Sequence, residues 1–282
     1  MGLSDLYDLA SVTKVSTSAL AVMQLMSVGK FDLDKTFKDY YADFADGNKA
    51  DLRFRDMLTH KSGLKAWIPF WMDCVDSVRS VKNSVVFKEN AERRPYASQY
   101  KKRFFMSRKK HDLIIREAIK TNKNLWKDCL SPSTMIWKPN TLSSKQSAEF
   151  SVEVADTLWL HKDYRKNIFE AIENSPVKPD QGYVYSDLHF YTYPTFIANL
   201  AGMPWEDYLK NTYQKIGANT LTYNPLRFYS RDRIVPSERD TLFRKTVIHG
   251  RVHDEGAALL GGVSGHAGLF GHVNDLTKLM QM

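Results

Sequence analysis

The sequence predicts an α+β chain in which helices dominate, and three stretches carry the helical part of this prediction. Residues 11–28 place apolar and small residues at helical spacing and are followed by glycine, a common helix stop. Residues 187–201 open on an acid suited to an N-cap, and a kink is expected at Pro194 within them. Residues 204–216 open on a proline and two acids, which suit a first helical turn.

Length and composition limit the class of protein. The 282 residues, 43% of them apolar, suffice for one large domain or two small ones. Two cysteines, Cys74 and Cys129, leave at most one disulfide bridge. No run of about 18 apolar residues occurs, so we expect no membrane span. The N-terminus shows no charged and apolar leader, so no signal peptide is visible in this chain.

The positive charge is concentrated in one segment. Residues 79–127 contain 15 Lys and Arg against 4 Asp and Glu, a net +11, whereas the whole chain carries +8. We interpret residues 73–150 as a solvated basic insertion within a helical lobe, with its charges exposed because burying them unpaired would be costly. Basic residues interleaved with aromatics can also bind nucleic acid or another anionic polymer. No recognition fold accompanies them, so we predict no nucleic-acid partner.

Ser11 and Lys14 are the candidate nucleophile and base. A serine hydroxyl needs an adjacent base to become a nucleophile, and a lysine three residues later on a helix can reach it. Burial and neighbouring cations would help this lysine to accept a proton. The bare pattern Ser-x-x-Lys occurs six times, starting at Ser11, Ser27, Ser62, Ser98, Ser107 and Ser175. Only Ser11 opens a long helix of apolar and small residues, which singles it out.

Five blocks resemble the serine β-lactamase and penicillin-binding-protein superfamily, and most closely its class C-like esterase branch. They occur in the family's order at residues 8–14, 29–34, 58–64, 185–188 and 261–270. The last block is similar to that of bacterial members fused to glycoside hydrolases. The resemblance implies the β-lactamase/transpeptidase-like α+β fold, with an antiparallel sheet flanked by helices. It also implies a location in the bacterial periplasm or cell envelope.

The resemblance implies acyl-enzyme chemistry on a small-molecule ester, amide or β-lactam. Ser11 would be acylated, Lys14 and Tyr185 would share its proton, and Asp187 would orient Lys14 or the substrate. Asp187 stands where the family usually has asparagine. The alternative is a catalytically impaired or non-catalytic domain that serves as a binding or accessory module. A third possibility is an anionic-polymer binder that uses residues 79–127.

The family's third motif, Lys/His-Thr/Ser-Gly, is not found after the tyrosine motif. Residues 61–63 imitate it but precede that motif, and residues 266–268 imitate it only superficially. We therefore expect residues 1–282 to form a single incomplete domain, helix-dominated because most sheet strands lie outside it. Without the second oxyanion donor that the family takes from the following strand, we expect poor catalysis. Apolar surface exposed on the Ser11 helix would favour self-association or a partner that supplies the missing sheet.

Three further histidines were considered. His60 is interpreted as a structural loop residue, because a lone histidine is usually a hydrogen-bonded packing residue. His249 and His253, four residues apart, could share a helix face and bind a metal, but Gly250 weakens such a helix and no third ligand is evident. We predict loop structure there, no metal site and no cofactor.

Overall fold

The computed structural model describes residues 2, 4–44, 46–84, 106–122, 125, 133–178 and 182–282. Helices dominate these ranges, as predicted. The Ser11 helix consists of a π-helical segment, Lys14–Ala19, continued by α1, Leu20–Ser27. The other α-helices are α2 (Phe37–Tyr40), α3 (Phe54–Leu58), α4 (Ser77–Asn83), α5 (Arg108–Thr121), α6 (Tyr164–Glu173), α7 (Tyr193–Ala201), α8 (Trp205–Lys215), α9 (Glu255–Leu259) and α10 (Val273–Met280).

The strands are short and form small antiparallel sheets. They are β1 (Tyr7–Asp8), β2 (Leu142–Ser143), β3 (Val152–Ala155), β4 (Leu158–Leu160), β5 (Thr222–Tyr223), β6 (Glu238–Asp240), β7 (Thr246–Ile248) and β8 (Leu269–Gly271). One sheet has the order β1-β8-β5, with Tyr7 opposite Gly271 and Thr222 opposite Phe270. A second has the order β2-β4-β3, and β6 and β7 form a hairpin. Strand β8, from residues 269–271, thus pairs with β1, the strand that directly precedes the Ser11 helix.

The Ser11 helix buries a side made of small polar residues and exposes several apolar side chains. Its inner side is formed by small polar residues, including Ser16 and Ser18, followed by Ala21 and Leu25. Val15 is 54% exposed, and Val12, Met23 and Met26 are also exposed. The small side chains allow close approach, as expected, because Ser18 donates a hydrogen bond to the Gly265 carbonyl at 2.8 Å. The exposed apolar side agrees with the expectation of uncovered surface on this helix.

An aromatic cluster forms the centre of the main core. Phe54 contacts Phe31 edge-on at 4.8 Å between ring centroids and Phe196 at 5.3 Å, and Tyr193 packs against Phe196 at 4.8 Å. Each such pair contributes about 0.5–1.5 kcal/mol beyond its buried area. The cluster fixes α3 and α7 against the loop that follows the Ser11 helix.

Residues 187–201 differ from the predicted single helix. Leu188–Thr192 is a 3₁₀-helix, and the α-helix begins only at Tyr193. Pro194 therefore lies in a first helical turn, where its missing N–H costs nothing, so the predicted interior kink is wrong. Asp187 precedes the 3₁₀-helix but makes no capping hydrogen bond with its side chain. Its carboxylate is instead directed to Lys14.

The basic segment is described only in part. Residues 76–84 and 106–121 form the pair α4 and α5, which share a small core of their own: Val78, Val81, Ile115, Ala118 and Leu125. On these helices Arg79, Arg116, Lys120 and the basic residues 108–110 are exposed, and Lys82 forms an ion pair with Asp112. Residues 85–105 and 126–132, with their Lys and Arg and with Cys129, lie outside the described residues. The boundaries 73–150 of the insertion stay a prediction.

Two glycines of the block at residues 261–268 pack so closely that no side chain would fit at their positions. A Cβ atom on Gly265 would lie 2.4 Å from the Phe190 carbonyl oxygen and 2.6 Å from Ser18 Oγ. Gly268 has a φ of +107°, and a Cβ atom on it would lie 2.3 Å from the Gly262 carbonyl oxygen. Gly265 therefore lies between the Ser18 hydroxyl of the Ser11 helix and the Phe190 carbonyl of the 3₁₀-helix.

A buried ion pair organises the β6–β7 hairpin. The Arg244 guanidinium donates to Asp240 Oδ2 at 2.9 Å and to the carbonyls of Val252 and His253 at 2.7 and 2.6 Å. Its side chain is fully buried. Burial alone would raise the pKa of the Asp240 carboxyl, but hydrogen bonds from Arg244 and from backbone amides outweigh it and lower that pKa. The carboxylate stays charged, as the buried guanidinium requires.

We predict that Gly265→Ala destabilises the fold by about 1–3 kcal/mol, because backbone and helix must move apart to admit the methyl group. Gly47→Ala is the matched control, since its Cβ would meet nothing closer than 3.6 Å. Urea unfolding of both variants measures the difference. Equal stability of the two variants would contradict the close packing described above.

We predict that Asp240→Asn costs about 3 kcal/mol near pH 7, because the buried Arg244 loses its charge partner. The folded-state pKa of Asp240 lies below its unfolded value, so its contribution is present above the unfolded pKa and disappears as pH falls through the folded pKa. The stability gap between wild type and variant should therefore narrow from pH 7 towards pH 3 in urea titrations. A gap that widens on acidification would show that the carboxylate does not stabilise the fold.

Candidate active site

Ser11 lies on an exposed turn that a strained residue introduces. Ala10 has a φ of +45°, a left-handed conformation that is uncommon outside glycine and recurs at functional sites. The turn is stabilised by Asp8, which accepts hydrogen bonds from the Ala10 N–H at 2.8 Å and the His253 N–H at 2.6 Å. Burial raises the pKa of the Asp8 carboxyl, against the lowering effect of these hydrogen bonds. Ser11 is thus presented to solvent at the mouth of its helix.

Lys14 reaches Ser11 as the spacing predicted. Its Nζ lies 2.9 Å from Ser11 Oγ, and only 5% of the lysine is exposed. The π-helical segment begins at this lysine. Such segments are rare and often occur at functional sites, and nothing in the sequence signalled this one. The two residues are within the distance that proton transfer requires.

Two other parts of the chain complete the surroundings of Lys14. Asp187 Oδ1 lies 2.6 Å from its Nζ, and the His266 carbonyl oxygen accepts a hydrogen bond from it at 3.3 Å. Ser11 and the His266 carbonyl thus accept hydrogen bonds from the ammonium group, and Asp187 contributes an ion pair without hydrogen-bond geometry. A buried cation needs such partners. The structure therefore brings Asp187 to Lys14, as the sequence predicted.

Tyr185 lies beside Lys14 but contacts it through the ring. The Lys14 ammonium is 4.9 Å from the ring centroid, within the range of a cation–π interaction. Tyr185 is 42% exposed, and within the described residues its hydroxyl makes no hydrogen bond to Ser11 or Lys14. The catalytic role of this phenol stays a prediction. Hydrogen bonds at catalytic sites are often loose before substrate binds.

His60 is a loop histidine, and it supports the tyrosine motif. It has a φ of +57°, and its Nδ1 accepts a hydrogen bond from the Ser186 N–H at 3.1 Å. Its ring packs on Tyr185 at 4.5 Å between centroids. Burial, followed by the positive charge of Lys14, lowers the pKa of His60, and burial lowers that of the neighbouring His189 still further. Both effects favour neutral imidazoles, so Lys14 remains the positive charge at this end of the site.

A hydrogen-bonded chain behind Lys14 was missed by the sequence analysis. His266 Nε2 lies 2.9 Å from Asp254 Oδ1, and His266 Nδ1 lies 2.8 Å from Ser264 Oγ. The imidazole is buried and stacks on Tyr191 with 4.2 Å between ring centroids. The motif Ser-x-His and an acid twelve residues earlier were the only signals, and residues 266–268 were considered only as an imitation of another motif.

Asp254 carries the negative charge of this chain. Burial alone would raise the pKa of its carboxyl, but the charge and hydrogen bond of His266 hold it well below its usual range. The Ala257 N–H also donates to Asp254 at 2.7 Å, so the carboxylate caps α9. Asp254 therefore ties the start of a helix to the imidazole of His266.

The other histidines considered for a metal site lie in loops, as predicted. His249 Nε2 lies 2.7 Å from the Ile234 carbonyl oxygen. His253 lies 3.6 Å from Glu238 and donates its backbone N–H to Asp8. Among the described residues, no group of three His, Cys, Asp or Glu side chains is arranged to hold a metal ion.

A cavity of about 520 Å³ lies away from Ser11, between α8 and residues 222–229. It is lined by both charged and aromatic side chains, among them Glu206, Lys210, Arg227, Phe228 and Tyr229. None of the residues around Lys14 contributes to it. Ser11 itself lies on open surface, so the chemistry of the site and this cavity are separate features. No helix in the described part of the chain has the length and apolar character needed to cross a bilayer.

Comparisons with known proteins agree with the motif order. A family model described as Beta-lactamase matches residues 4–96. A protein named putative D-alanyl-D-alanine carboxypeptidase, from Escherichia coli strain K12, is 26% identical over 297 residues, which cover 98% of this chain and 50% of that protein. A protein of the same name from Salmonella agona is 32% identical over 138 residues, covering 44% of this chain and 32% of its own length. The chain thus spans about half the length of the first of these relatives.

Solved structures share the fold. The octameric penicillin-binding protein homologue from Pyrococcus abyssi superposes with a TM-score of 0.52 and 15% identity, covering 99% of this chain and 45% of that one. A class C beta lactamase superposes with a TM-score of 0.51 and 12% identity, covering 99% and 51%. The narrower assignment to the class C-like esterase branch stays a prediction. The five motif blocks, the family match over residues 4–96, the sequence relatives and the fold are thus all similar to those of the β-lactamase and penicillin-binding-protein superfamily.

Proposed function

We propose that this chain carries the acyl-transfer site of a serine hydrolase of the β-lactamase and D-alanyl-D-alanine carboxypeptidase type. The observation that carries the proposal is the 2.9 Å contact between Ser11 Oγ and Lys14 Nζ, made by a lysine that is 5% exposed. A hydroxyl beside a buried amine is the pairing that nucleophilic serine chemistry needs. The substrate would be a small ester, amide or β-lactam, acted on in the bacterial cell envelope.

In the proposed reaction Ser11 Oγ attacks the carbonyl carbon of the substrate while its proton passes to the amine form of Lys14. The carbonyl π electrons move to oxygen and form a tetrahedral oxyanion. This oxyanion collapses, and the leaving alcohol or amine departs with the proton, delivered by Lys14 directly or through Tyr185. Water then attacks the Ser11 ester, loses a proton to the same base and releases the carboxylic acid, with Ser11 restored.

The backbone at Ser11 supports this role. Within the described residues its N–H makes no hydrogen bond, although the following amides of Val12, Thr13 and Lys14 donate to carbonyls of the turn. The left-handed conformation of Ala10 leaves this N–H free of the helix. An amide so placed can donate to a developing oxyanion, and such a donor is worth about 10²–10³ in rate.

Asp187 places a negative charge beside Lys14, where the family usually has an uncharged asparagine. A carboxylate 2.6 Å from Lys14 stabilises the ammonium form, whereas the asparagine usual in the family would accept a hydrogen bond without a charge. The base must be an amine when Ser11 attacks. In this proposal Asp187 therefore orients Lys14 through the ion pair.

We expect a fluorophosphonate probe to acylate Ser11 and to leave Ser11→Ala unlabelled. Ser27→Ala is the matched control, since Ser27 opens another Ser-x-x-Lys pattern but donates to the Gln24 carbonyl at a helix end. Peptide mass spectrometry locates the adduct. Labelling that survives in Ser11→Ala would refute the assignment. A wild type that reacts with neither this probe nor a fluorescent β-lactam would favour the non-catalytic binding module.

We expect Asp187→Asn to lower the maximal rate of Ser11 acylation by about tenfold, because Lys14 loses the ion pair that orients it. Asp51→Asn is the control, since Asp51 pairs with Lys38 at the same 2.6 Å but on the exposed surface. The maximal rate of probe labelling at one fixed pH measures the change. A rate that stays at the wild-type value would exclude the proposed role of Asp187.

A further inference from the structure

The hydrogen-bonded side chains of Asp254, His266 and Ser264 take no part in the proposed reaction. We infer that these three side chains are positioning residues, which hold the His266 carbonyl so that the lone pair of the Lys14 amine points at the Ser11 hydroxyl. The inference rests on the proposed function for its effect on rate. Its structural content, a carbonyl fixed in place for Lys14, can be tested without any reaction.

The geometry of an amine gives the reason. In its basic form Lys14 has two N–H bonds and one lone pair, arranged tetrahedrally about Nζ. Besides the nucleophile, the His266 carbonyl oxygen accepts a hydrogen bond from Nζ at 3.3 Å, and Asp187 Oδ1 lies 2.6 Å away as an ion-pair partner without hydrogen-bond geometry. With one N–H donated to the His266 carbonyl, the amine can direct its lone pair at Ser11 Oγ, 2.9 Å away. If that carbonyl moves, the amine can rotate and the lone pair loses its target.

The His266 carbonyl is held by its own side chain. The ring is fixed on one edge by Asp254 at 2.9 Å, on the other by Ser264 at 2.8 Å, and on one face by Tyr191. Asp254 is in turn fixed by the start of α9. An imidazole with both nitrogens bonded and a face stacked has few rotamers left, so the backbone that carries it is fixed as well.

The same three residue types could suggest a second Ser-His-Asp nucleophile, but the burial argues against it. Ser264 is 0% exposed and His266 1% exposed, so no substrate carbonyl can approach the Ser264 hydroxyl. Two buried polar side chains, Ser264 and His266, joined by hydrogen bonds to each other and to the partly exposed Asp254, form a rigid network. Its closest point to the exposed site is the His266 carbonyl, which is why we assign it to positioning.

The test compares substitutions at His266 with the same substitutions at His249. His266→Phe keeps the ring stacked on Tyr191 but removes both hydrogen bonds, and His266→Gln keeps an amide that can donate to Asp254. Ser264→Ala removes one bond with little change in volume and serves if the phenylalanine variant does not fold. His249→Phe and His249→Gln change a half-buried histidine that bonds a carbonyl elsewhere. Thermal unfolding reports the folded state of each variant.

The first readout is exchange of the Lys14 ammonium hydrogens with water, followed by ¹⁵N NMR of labelled lysine, with Lys14→Arg assigning the signal. Exchange should be about tenfold faster in His266→Phe, since a hydrogen bond to a charged group is lost. Ser264→Ala should show a smaller change in the same direction, and His266→Gln should recover part of the protection. Protection unchanged in folded His266→Phe or, failing that, in Ser264→Ala overturns the inference, whether or not Ser11 is reactive.

The second readout is the fluorophosphonate reaction, separated into probe affinity and maximal labelling rate. The maximal rate should fall by up to about 100-fold in His266→Phe, with affinity unchanged, because the base and not the binding surface is misaligned. A change in affinity alone would contradict a positioning role. If the wild type does not label at Ser11 while His266→Phe still loses ammonium protection, the proposed function fails and the positioning of Lys14 stands.

Discussion

The contacts of one buried cation determine how this site is built. Lys14 is almost fully removed from water, and an ammonium group there is tolerated only with acceptors on its N–H bonds. Ser11 and the His266 carbonyl accept hydrogen bonds from Lys14, and Asp187 forms an ion pair with it, so its partners come from three distant parts of the sequence. Folding must therefore bring three distant segments within about 3 Å of one atom. The contacts that stabilise the buried charge of Lys14 therefore also bring the proposed nucleophile and base together.

Small residues make this convergence sterically possible. Gly265 lies against the Phe190 carbonyl and Ser18, so the loop that carries His266 approaches both neighbouring helices at backbone distance. A larger residue at this point would hold the His266 carbonyl away from Lys14. Ser18 on the inner side of the Ser11 helix serves the same purpose, since it is buried and donates a hydrogen bond to the Gly265 carbonyl. The small volume of the glycine-rich block thus determines how closely the His266 carbonyl approaches Lys14 Nζ.

The sequence predicted the parts of the site that lie close together or match a family motif. Ser11 and Lys14 followed from helical spacing, and Asp187 from the order of the blocks. The chain Asp254–His266–Ser264 did not follow, because its hydrogen bonds depend on a loop path that no local pattern encodes. The start of α7 at Tyr193 was misjudged for a related reason. Periodicity shows that a face is apolar, but tertiary packing decides which face is covered and where a helix begins.

The ion pair of Lys14 with Asp187 has a consequence for how such a site would work. In the paired state the ammonium donates to Ser11 Oγ, which occupies one of the two oxygen lone pairs and leaves the hydroxyl proton without a base. Attack requires the opposite hydrogen bond, from the hydroxyl to an amine, so one proton has to leave Lys14 first. Asp187 at 2.6 Å is the nearest acceptor, and the ring of Tyr185, 4.9 Å from Nζ, stabilises the cation from the open side. A substrate that displaced this ring would weaken the ammonium form at the moment when the base is needed, which links substrate entry to activation of Ser11.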